Sequence, residues 1–413
     1  MTSAPLCRFC RTPLTHTLVD LGDQPLANSY LTPEQLAAGV EAAYPLHARV
    51  CHACFLVQVD DVVPAEAIFD EGYAYFSSYS ASWVEHARRY AEAMTERFGL
   101  GPESLVVEVA SNDGYLLQHF VAKDVPVLGI EPTANTAEAA RARGVPTEVV
   151  FFNAETARQM AARGVRADLM AANNVLAHVP DIAGFVAGFQ HVLKQEGVLT
   201  FEFPHLLNLI EKVQFDTIYH EHFSYLSLLA VEQVLRANGL RPFDVELLPT
   251  HGGSLRLFVC HLGSGREETQ ALRALRAREQ AAGLDRIETY DGFTPRVEAV
   301  RTSFLKFLED AEVEGKRVAA YGAAAKGNTF LNYCGVTARQ IVAAFDANPA
   351  KQGRFLPGSH VPILAPSEVP RIKPDFLLIL PWNLKDEIRA QLSFIDGWGG
   401  RFVTASPETQ VIA

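Results

Sequence analysis

The chain has 413 residues, which is more than one hydrophobic core usually supports, so we expect two or three domains. Hydrophobic residues make up 48% and charged residues 20%, as is typical of soluble globular proteins. The net charge of −12 argues against a nucleic acid partner, because binding nucleic acid requires a basic surface. No apolar run is long enough to cross a bilayer, and residues 1–11 lack the apolar core of a secretory signal. We therefore expect a cytoplasmic protein with no membrane association.

Four of the six cysteines form two C-x-x-C pairs, Cys7 with Cys10 and Cys51 with Cys54. In a reducing compartment such pairs indicate a metal site before a disulfide. Four thiolates complete a closed tetrahedral shell, which is the structural form of a zinc site. We therefore expect a structural zinc ion in the loop-rich N-terminal region. Four reduced, buried cysteines are the alternative.

From residue 73 to about residue 265, predicted helices alternate with predicted strands. Ser82 and Glu85 form a candidate capping box for the first helix. The predicted strands of this region are Leu105–Val109, Val125–Ile130, Glu148–Phe152, Ala167–Ala172 and Gly197–Phe203. Helical segments between most of them predict a parallel sheet. The runs 245–248 and 254–261 then predict an antiparallel pair.

The C-terminal third begins with a charged helical stretch from residue 266 to about residue 315. Three strands are predicted after it, at Arg317–Tyr321, Ile341–Phe345 and Phe376–Ile379. The order of these elements predicts a second α/β region.

A loop of small residues follows the strand that ends near Glu108, and a helix is predicted to begin near Tyr115. Small residues allow a cofactor to approach the backbone closely. The G-x-G-x-x-G fingerprint of nicotinamide-binding folds is absent. Glu131, at the end of the next strand, lies near the spacing at which a carboxylate meets ribose hydroxyls. The candidate cofactor-binding residues are Glu108, Ala110, Asn112, Asp113, Gly114, Glu131, Asn173 and Asn174, with a plain strand–turn–helix unit as the alternative.

The run Tyr219–Tyr225 contains two histidines, a carboxylate and two tyrosines. Histidine titrates near neutral pH, so this set suits proton abstraction beside a carbonyl group. Metal binding by the H-x-H pair and structural packing are the alternatives. His251, in the turn His251-Gly252-Gly253, offers an imidazole beside backbone N–H groups, or else belongs to a simple hairpin turn. His178 alone favours a structural interpretation.

Polar residues also follow the strands of the C-terminal third. The loop after the first strand is not a P-loop, because its lysine precedes the second glycine. A helix N-terminus with a nearby lysine is nevertheless a ready anion site. We therefore expect a diphosphate or sugar-nucleotide site formed by Tyr321, Lys326, Asn328, Asp346, Lys351, Trp382 and Asn383.

Taken in order, these motifs resemble the zinc-containing, S-adenosylmethionine-dependent sugar C-methyltransferases of antibiotic and polysaccharide deoxysugar pathways. The resemblance covers essentially the whole chain. Its most specific pieces are Glu108-x-x-x-Asn112-Asp113-Gly114, Tyr219-x-Glu221-His222-Phe223, His251-Gly252-Gly253 and Tyr321-Gly322-Ala323-x-Ala325-Lys326.

The resemblance implies an α/β protein of three domains. These are a small zinc-binding domain over residues 1–72, a class I, Rossmann-like methyltransferase domain over 73–265, and a C-terminal Rossmann-like domain that binds a sugar nucleotide over 266–413. The implied substrate is a nucleotide-linked 4-keto-deoxysugar, with dTDP as the expected carrier. The resemblance leaves open which sugar carbon is methylated and what the oligomeric state is.

The same resemblance implies roles for residues of the active site. His222 is the implied base, with Tyr219, Glu221 and His251 beside it, and Tyr75 matches an aromatic position that could hold the sulfonium. The base would form an enolate, whose oxygen accepts from Tyr219 or His251. Two departures are visible: Ala110 replaces a common glycine, and His220 replaces a frequent acidic residue, so either histidine of the H-x-H pair could be the base.

Two other classes compete with this interpretation. An NAD-dependent sugar-nucleotide oxidoreductase would use the second Rossmann-like domain, but the glycine fingerprint is absent. A zinc-ribbon regulator would bind nucleic acid, which conflicts with the charge and leaves the run Tyr219–Tyr225 unexplained.

Overall fold

The computed structural model describes residues 4–60 and 76–412, so the candidate residue Tyr75 lies outside the described residues. The strands, in chain order, are β1 His16–Pro25, β2 Ala43–Val50, β3 Val57–Val59, β4 Val106–Val109, β5 Val127–Ile130, β6 Thr147–Glu148, β7 Ala167–Asn173, β8 Leu193–Pro204, β9 Ser224–Tyr225, β10 Leu240–Leu248, β11 Ser254–His261, β12 Val318–Tyr321, β13 Ile341–Phe345, β14 Ile363–Leu364, β15 Phe376–Ile379, β16 Arg401–Thr404 and β17 Gln410–Ile412. The α-helices are α1 Pro33–Ala38, α2 Ala81–Phe98, α3 Leu117–Val121, α4 Ala134–Ala142, α5 Ala154–Ala162, α6 Ile182–Val192, α7 Leu206–Glu211, α8 Leu228–Ala237, α9 Gln270–Ala281, α10 Glu288–Asp291, α11 Phe293–Val313, α12 Ala325–Cys334, α13 Val369–Ile372 and α14 Lys385–Gln391.

The first sheet is antiparallel and has the strand order β1-β2-β3-β9. Its fourth strand comes from the run Tyr219–Tyr225, far along the chain from the other three. Val57 pairs with Tyr225, and Gln58 pairs with Ser224. The N-terminal region and the candidate catalytic run therefore share one hydrogen-bonded sheet.

The central sheet has seven strands in the order β10-β11-β8-β7-β4-β5-β6. Strands β4 to β8 are parallel to one another, and β11 is antiparallel to both β8 and β10. All four residues of β4 are buried, as expected of a central parallel strand covered by helices. The carboxyl ends of β4, β5, β7 and β8 meet along one edge, where ligands bind in open α/β sheets.

The third sheet has the order β14-β13-β12-β15-β16-β17, and only β17 is antiparallel to its neighbour. With β12 as its first strand, this is the 3-2-1-4-5-6 order of a doubly wound Rossmann-like sheet. The expected α/β fold with a second Rossmann-like unit is confirmed. The boundaries placed near residues 72 and 265 stay predictions.

One predicted helix start is wrong by two residues. The N-cap of α2 is Ser80, whose hydroxyl oxygen accepts a hydrogen bond from the backbone N–H of Trp83 at 3.3 Å. Ser82 lies inside the helix, and Glu85 forms an ion pair with Arg88 at 2.7 Å instead of closing a capping box. Two serines two residues apart offer the same signal, and the sequence does not distinguish them.

The predicted strand Glu148–Phe152 is also wrong, because pairing stops at Glu148. Phe152 leaves the sheet and packs against Phe185 and Phe189 on α6, with ring centroids 5.8 and 4.7 Å away. Asn153 then caps α5. A short apolar run such as residues 149–152 predicts a strand from sequence alone. Here its aromatic residue, Phe152, packs against a helix instead.

One hydrophobic core joins the N-terminal sheet to the C-terminal third. Leu18 and Val19 of β1 are buried in one cluster with Phe293 and Phe304 of α11. The Thr294 hydroxyl also donates to the carbonyl of Leu18 at 3.0 Å. The N-terminal sheet and the C-terminal third therefore share one hydrophobic core.

Candidate active site

The four paired cysteines converge at one point. Their sulfur atoms all lie within 4.8 Å of one another. Three of the separations are 3.6 Å for Cys7–Cys54, 3.4 Å for Cys10–Cys51 and 3.6 Å for Cys10–Cys54. Zn–S bonds of about 2.3 Å place tetrahedral sulfurs about 3.8 Å apart, so the donor set fits a zinc ion.

Each cysteine pair lies on a tight turn. Arg11 and Phe55 adopt left-handed φ angles of 63° and 58°. Their backbone N–H groups donate to the carbonyls of Cys7 and Cys51 at 3.0 and 2.8 Å. The Gln58 amide donates to Cys7 Sγ at 3.3 Å, so β3 contacts the metal centre directly.

Arg8, within the first cysteine pair, connects the zinc centre to the candidate catalytic run. Its guanidinium donates to the carbonyl of Val59 at 2.7 Å and to the carbonyl of Pro180 at 3.1 Å. It also lies 5.3 Å from the ring centroid of Phe223. Ordering of the knuckle therefore supports the segment that contains His222.

The loop after β4 turns sharply, because three of its residues adopt left-handed backbone angles. The φ angles are 59° at Ala110, 49° at Asn112 and 79° at Gly114. Glu131 supports the loop by accepting from the Asn112 N–H at 2.9 Å, and its other oxygen accepts from the Thr133 N–H at 3.0 Å. The predicted glycine position is thus a left-handed one that here contains alanine.

Buried acceptors without partners line the same edge of the central sheet. In residues 4–60 and 76–412, the carboxyl oxygens of Glu108 and the side-chain oxygens of Asn173 and Asn174 are buried without a well-formed hydrogen bond, although Tyr115 lies near the Glu108 carboxyl group. Burial raises the pKa of Glu108. Unpaired buried acceptors are costly, so this edge suits a cationic ligand rich in amino and hydroxyl donors. S-adenosylmethionine has this chemistry, and the residues present fit it.

Asp113 and Gly114 fix the loop after β4 to neighbouring segments. Asp113 is fully buried, and its carboxylate pairs with Arg143 at 2.8 Å and accepts from the Ser78 hydroxyl. A Cβ at Gly114 would lie 3.2 Å from the Cβ of Ala140, so the loop approaches α4 closely there. The structure thus places these two predicted cofactor residues as supports of the loop.

His222 is held by hydrogen bonds at both ring nitrogens. Nδ1 lies 2.9 Å from the Thr217 carbonyl, which can only accept, so Nδ1 carries the proton. Nε2 therefore has the lone pair, and it accepts from the Tyr219 hydroxyl at 2.7 Å. Burial, together with His178, lowers the pKa of His222 well below its usual value. A neutral imidazole with its lone pair on Nε2 is a competent general base at pH 7.

His178, which the sequence favoured as structural, lies against His222. The two ring centroids are 4.6 Å apart at an interplanar angle of 70°. Nδ1 of His178 donates to the Glu221 carbonyl at 2.8 Å. Its place just after the polar end of β7 was the available signal, since such positions face the ligand crevice.

His220 points away from His222. Its Nε2 lies 3.3 Å from the Tyr44 carbonyl and 3.2 Å from the Pro45 carbonyl, both in β2. Between the two histidines, Glu221 turns inward, and burial raises its pKa. The geometry therefore favours His222 as the base.

His251 and Trp382 form another wall of the site. His251 has a left-handed φ of 53°, and burial lowers its pKa to about 4. A Cβ at Gly252 would overlap the Trp382 ring, so this turn requires glycine for close contact with the C-terminal third. The Trp382 indole N–H donates to Asp216 at 2.6 Å.

Lys326 brings a positive charge to the histidines. Its Nζ lies 4.8 Å from the Trp382 ring centroid and donates to Asn383 Oδ1 at 3.3 Å. Burial lowers the pKa of Lys326, and its charge contributes to the lowered pKa of both His222 and His251. The first turn of α12 therefore brings a cation near His222 and His251.

The remaining substrate candidates surround Ala323, in the loop after β12. Asp346 accepts from the Ala323 N–H at 2.7 Å, and Lys351 donates to the Ala323 carbonyl at 2.8 Å. Asn328 is fully buried and donates to the Ala27 carbonyl at 2.5 Å. The Tyr321 hydroxyl donates to Gln391 at 3.4 Å. Asp346 and Lys351 thus support the loop that precedes Lys326, whereas Asn328 and Tyr321 bond to other segments.

One polar cluster had no counterpart in the sequence interpretation. Glu202 in β8 is fully buried, and it pairs with Arg256 at 2.8 Å and His86 at 3.0 Å. The His86 ring stacks on Trp83 at 4.8 Å, and Trp83 meets His251 edge-on at 5.3 Å. A glutamate inside an apolar strand was the available signal, because buried charges need partners.

C-methyltransferase NovU of Streptomyces niveus is 36% identical over 408 residues, which cover 98% of this chain and 96% of the relative. The chain belongs to this C-methyltransferase family. Family models for a zinc binding domain, a methyltransferase domain and a C-methyltransferase C-terminal domain match residues 7–69, 83–245 and 249–407.

More distant matches cover less than half of the chain. The ubiquinone biosynthesis O-methyltransferase of Rhodopseudomonas palustris (strain BisA53) is 23% identical over 157 residues, covering 33% of this chain and 62% of the relative. The crystal structure of magnesium protoporphyrin IX methyltransferase from Synechocystis PCC 6803 with bound SAM is 14% identical. It covers 48% of this chain and 88% of that chain, with a TM-score of 0.34.

The protein is therefore an S-adenosylmethionine-dependent C-methyltransferase with a four-cysteine zinc centre. Among its described residues, no helix has both the length and the apolar character needed to cross a membrane.

Proposed function

We propose that this C-methyltransferase methylates a carbon next to the ketone of a nucleotide-linked 4-keto-deoxysugar, with dTDP as the carrier. One observation carries the proposal: a neutral His222 has its lone pair on Nε2, and Lys326 lies near enough for its charge to lower the pKa of His222. A ketone acidifies the neighbouring C–H bond, so a base and a stabiliser of negative charge are the groups that this reaction requires.

In the proposed reaction His222 Nε2 removes the proton. The Thr217 carbonyl keeps the Nδ1 proton in place, so the imidazole stays in the basic tautomer. Negative charge then develops on the ketone oxygen. Tyr219 is the proposed donor to it, because its hydroxyl already lies 2.7 Å from the base, with His251 as the second candidate. The Lys326 charge stabilises the same enolate.

The cofactor supplies an electrophilic methyl group when it is bound. We propose that the unpaired acceptors of Glu108, Asn173 and Asn174 hold its donor groups, and that Glu131 holds the ribose hydroxyls. The left-handed loop at Ala110 lets the cofactor approach the backbone. Tyr75 remains the proposed aromatic contact of the sulfonium, and it lies outside the described residues.

The C-terminal sheet is the proposed site of the nucleotide diphosphate. Lys326 lies in the first turn of α12, where backbone N–H groups and the helix dipole favour an anion. Asn383 lies beside it. A local cation at a helix N-terminus accounts for anion binding by a chain whose net charge is −12.

Mass spectrometry of the purified enzyme with S-adenosylmethionine and a panel of nucleotide-linked sugars tests the proposal. We expect a gain of one methyl on a sugar carbon with dTDP-linked 4-keto-deoxysugars. The matched 4-hydroxy sugars should gain none, because they lack the acidifying ketone. Methyl gain on oxygen, or equal gain with both sugar sets, would refute the proposed enolate chemistry.

A further inference from the structure

A short segment of the zinc-binding region, Ala27–Leu31, contacts the other two parts of the protein. Its Ala27 carbonyl accepts from the Asn328 amide of α12 at 2.5 Å. Its last residue, Leu31, exchanges two backbone hydrogen bonds with Phe355, at 3.1 and 2.9 Å. The segment is therefore fixed at both ends by the C-terminal third.

Between these ends, Asn28 reaches the catalytic run. Its Nδ2 donates to Glu221 Oε1 at 2.7 Å. The amide presents Nδ2 to Glu221 because an ionised carboxylate can only accept hydrogen bonds. Within residues 4–60 and 76–412, Oε2 of Glu221 makes no hydrogen bond, so one carboxyl oxygen is held and the other is available.

Tyr30 extends the contact to the loop after β12, just before Lys326. Its hydroxyl donates to the Ala323 carbonyl at 2.6 Å, and the Lys351 ammonium lies 5.0 Å from its ring centroid. Burial, Asp346 and Glu221 all raise the pKa of Tyr30, so it remains a donor across the physiological range. The side chains of Asn28 and Tyr30 thus connect the Glu221 carboxylate to the loop after β12.

We propose that Asn28 is a positioning residue for methyl transfer, holding Glu221 so that its second oxygen accepts a hydrogen bond from a hydroxyl or amino group of the acceptor sugar. The inference rests on the proposed function of the active site. In this proposal a side chain of the zinc-binding region helps to position an active-site residue. The role is distinct from catalysis, because Asn28 acts through Glu221.

The hydrogen bond from Asn28 influences whether the buried Glu221 carboxyl group is ionised. Burial raises the pKa of Glu221, and the Asn28 hydrogen bond opposes that rise. The charge of Glu221 acts on the Tyr30 hydroxyl, and the His178 imidazole donates to the backbone carbonyl of Glu221. In the described part of the chain none of these donates to its carboxylate. The Asn28 amide is therefore the side-chain donor that stabilises the ionised form.

Asn28→Asp is the sharpest test, because it keeps the shape and replaces the donor by a second carboxyl group. Two carboxylates this close cannot both be ionised, so the pair retains one proton to a raised pH. Below that pH the shared proton replaces the amide donor, and kcat should stay within about 3-fold of wild type. Above it the two charges repel, and kcat should fall by about 10-fold or more.

Two variants accompany it. In the N28D/E221Q double variant the carboxylate pair is absent, so the new loss of kcat at high pH should disappear. Thr32→Ala is the matched control in the same region, since it removes the N-cap of α1 without contacting Glu221. It should lower Tm and leave the pH profile of kcat unchanged.

An N28D profile parallel to wild type from pH 6 to pH 9, whether at full or uniformly reduced kcat, would overturn the inference. Zinc content and S-adenosylmethionine binding, measured by calorimetry, should match wild type in every variant. Absence of sugar methylation by the wild-type enzyme would instead refute the proposed function, so the two failures are distinguished.

Discussion

Replacing Tyr219 by phenylalanine removes the hydroxyl that donates to His222 Nε2 at 2.7 Å and keeps the ring in place. If this hydroxyl only orients the imidazole, the loss is one neutral hydrogen bond, about 1 kcal/mol, or roughly 5-fold in rate. If it also donates to the enolate oxygen, removing it should lower kcat by about 10²- to 10³-fold. The proposed mechanism predicts the larger loss, with KM changed by less than about 3-fold, because the donor acts on charge that forms in the transition state.

The same substitution should move the pH profile. A donor to Nε2 stabilises the neutral imidazole, so its removal raises the pKa of His222. The base acts only when unprotonated, so activity is lost as the pH falls through this pKa. In wild type the acidic limb of kcat/KM should lie below about pH 6.5, the usual value for histidine, because burial lowers the pKa. In Y219F the limb should lie at higher pH than in wild type.

Steady-state kinetics from pH 5 to pH 9, with saturating S-adenosylmethionine, measure both effects. Tyr290→Phe, on α10, is the matched control. It removes a buried hydroxyl that donates to the Leu284 carbonyl at 2.8 Å. It should lower stability by about 1 kcal/mol and leave kcat unchanged. A Y219F enzyme with less than 5-fold loss of kcat and an unshifted acidic limb would refute the proposed roles of Tyr219.

Two further predictions concern the zinc centre and the cofactor loop. Removing zinc with a chelator should lower kcat by more than about 10-fold and leave the S-adenosylmethionine Kd within about 3-fold, because β9 pairs with the zinc region while the cofactor edge does not. Added Zn²⁺ should restore kcat, and an unaffected kcat in zinc-free protein would contradict the link. Ala110→Gly should raise the free energy of unfolding by up to about 1 kcal/mol, because a left-handed alanine costs about 1–2 kcal/mol and glycine loses part of that gain as chain entropy. Urea denaturation measures it, and a loss above about 1 kcal/mol would contradict the strain argument.

Local pattern was sufficient for most of the fold. The apolar runs near residues 106, 127, 167 and 197 form strands of the central sheet, since a buried parallel strand is a short continuous apolar run. The four cysteines were predictable as one site because C-x-x-C spacing encodes the knuckle itself. These signals lie within a few residues of the feature that they predict.

The missed contacts join segments that are far apart in the sequence. Asn28 and Glu221 are 193 positions apart, and neither residue type has a local pattern that selects the other. The two-residue strand β9 is too short for an alternating pattern, and it exists only because β3 presents a free edge. The role of His178 likewise depends on where β7 ends relative to the run Tyr219–Tyr225.

The central claim is that His222 forms the enolate before the methyl group is transferred. It is tested by incubating wild type and His222→Ala in heavy water with a dTDP-linked 4-keto-deoxysugar and S-adenosylhomocysteine, and following deuterium uptake by mass spectrometry. We expect uptake at one sugar carbon with wild type and only the enzyme-free rate with H222A, while calorimetry shows unchanged cofactor binding. Uptake by H222A at the wild-type rate would contradict the assignment of His222 as the base.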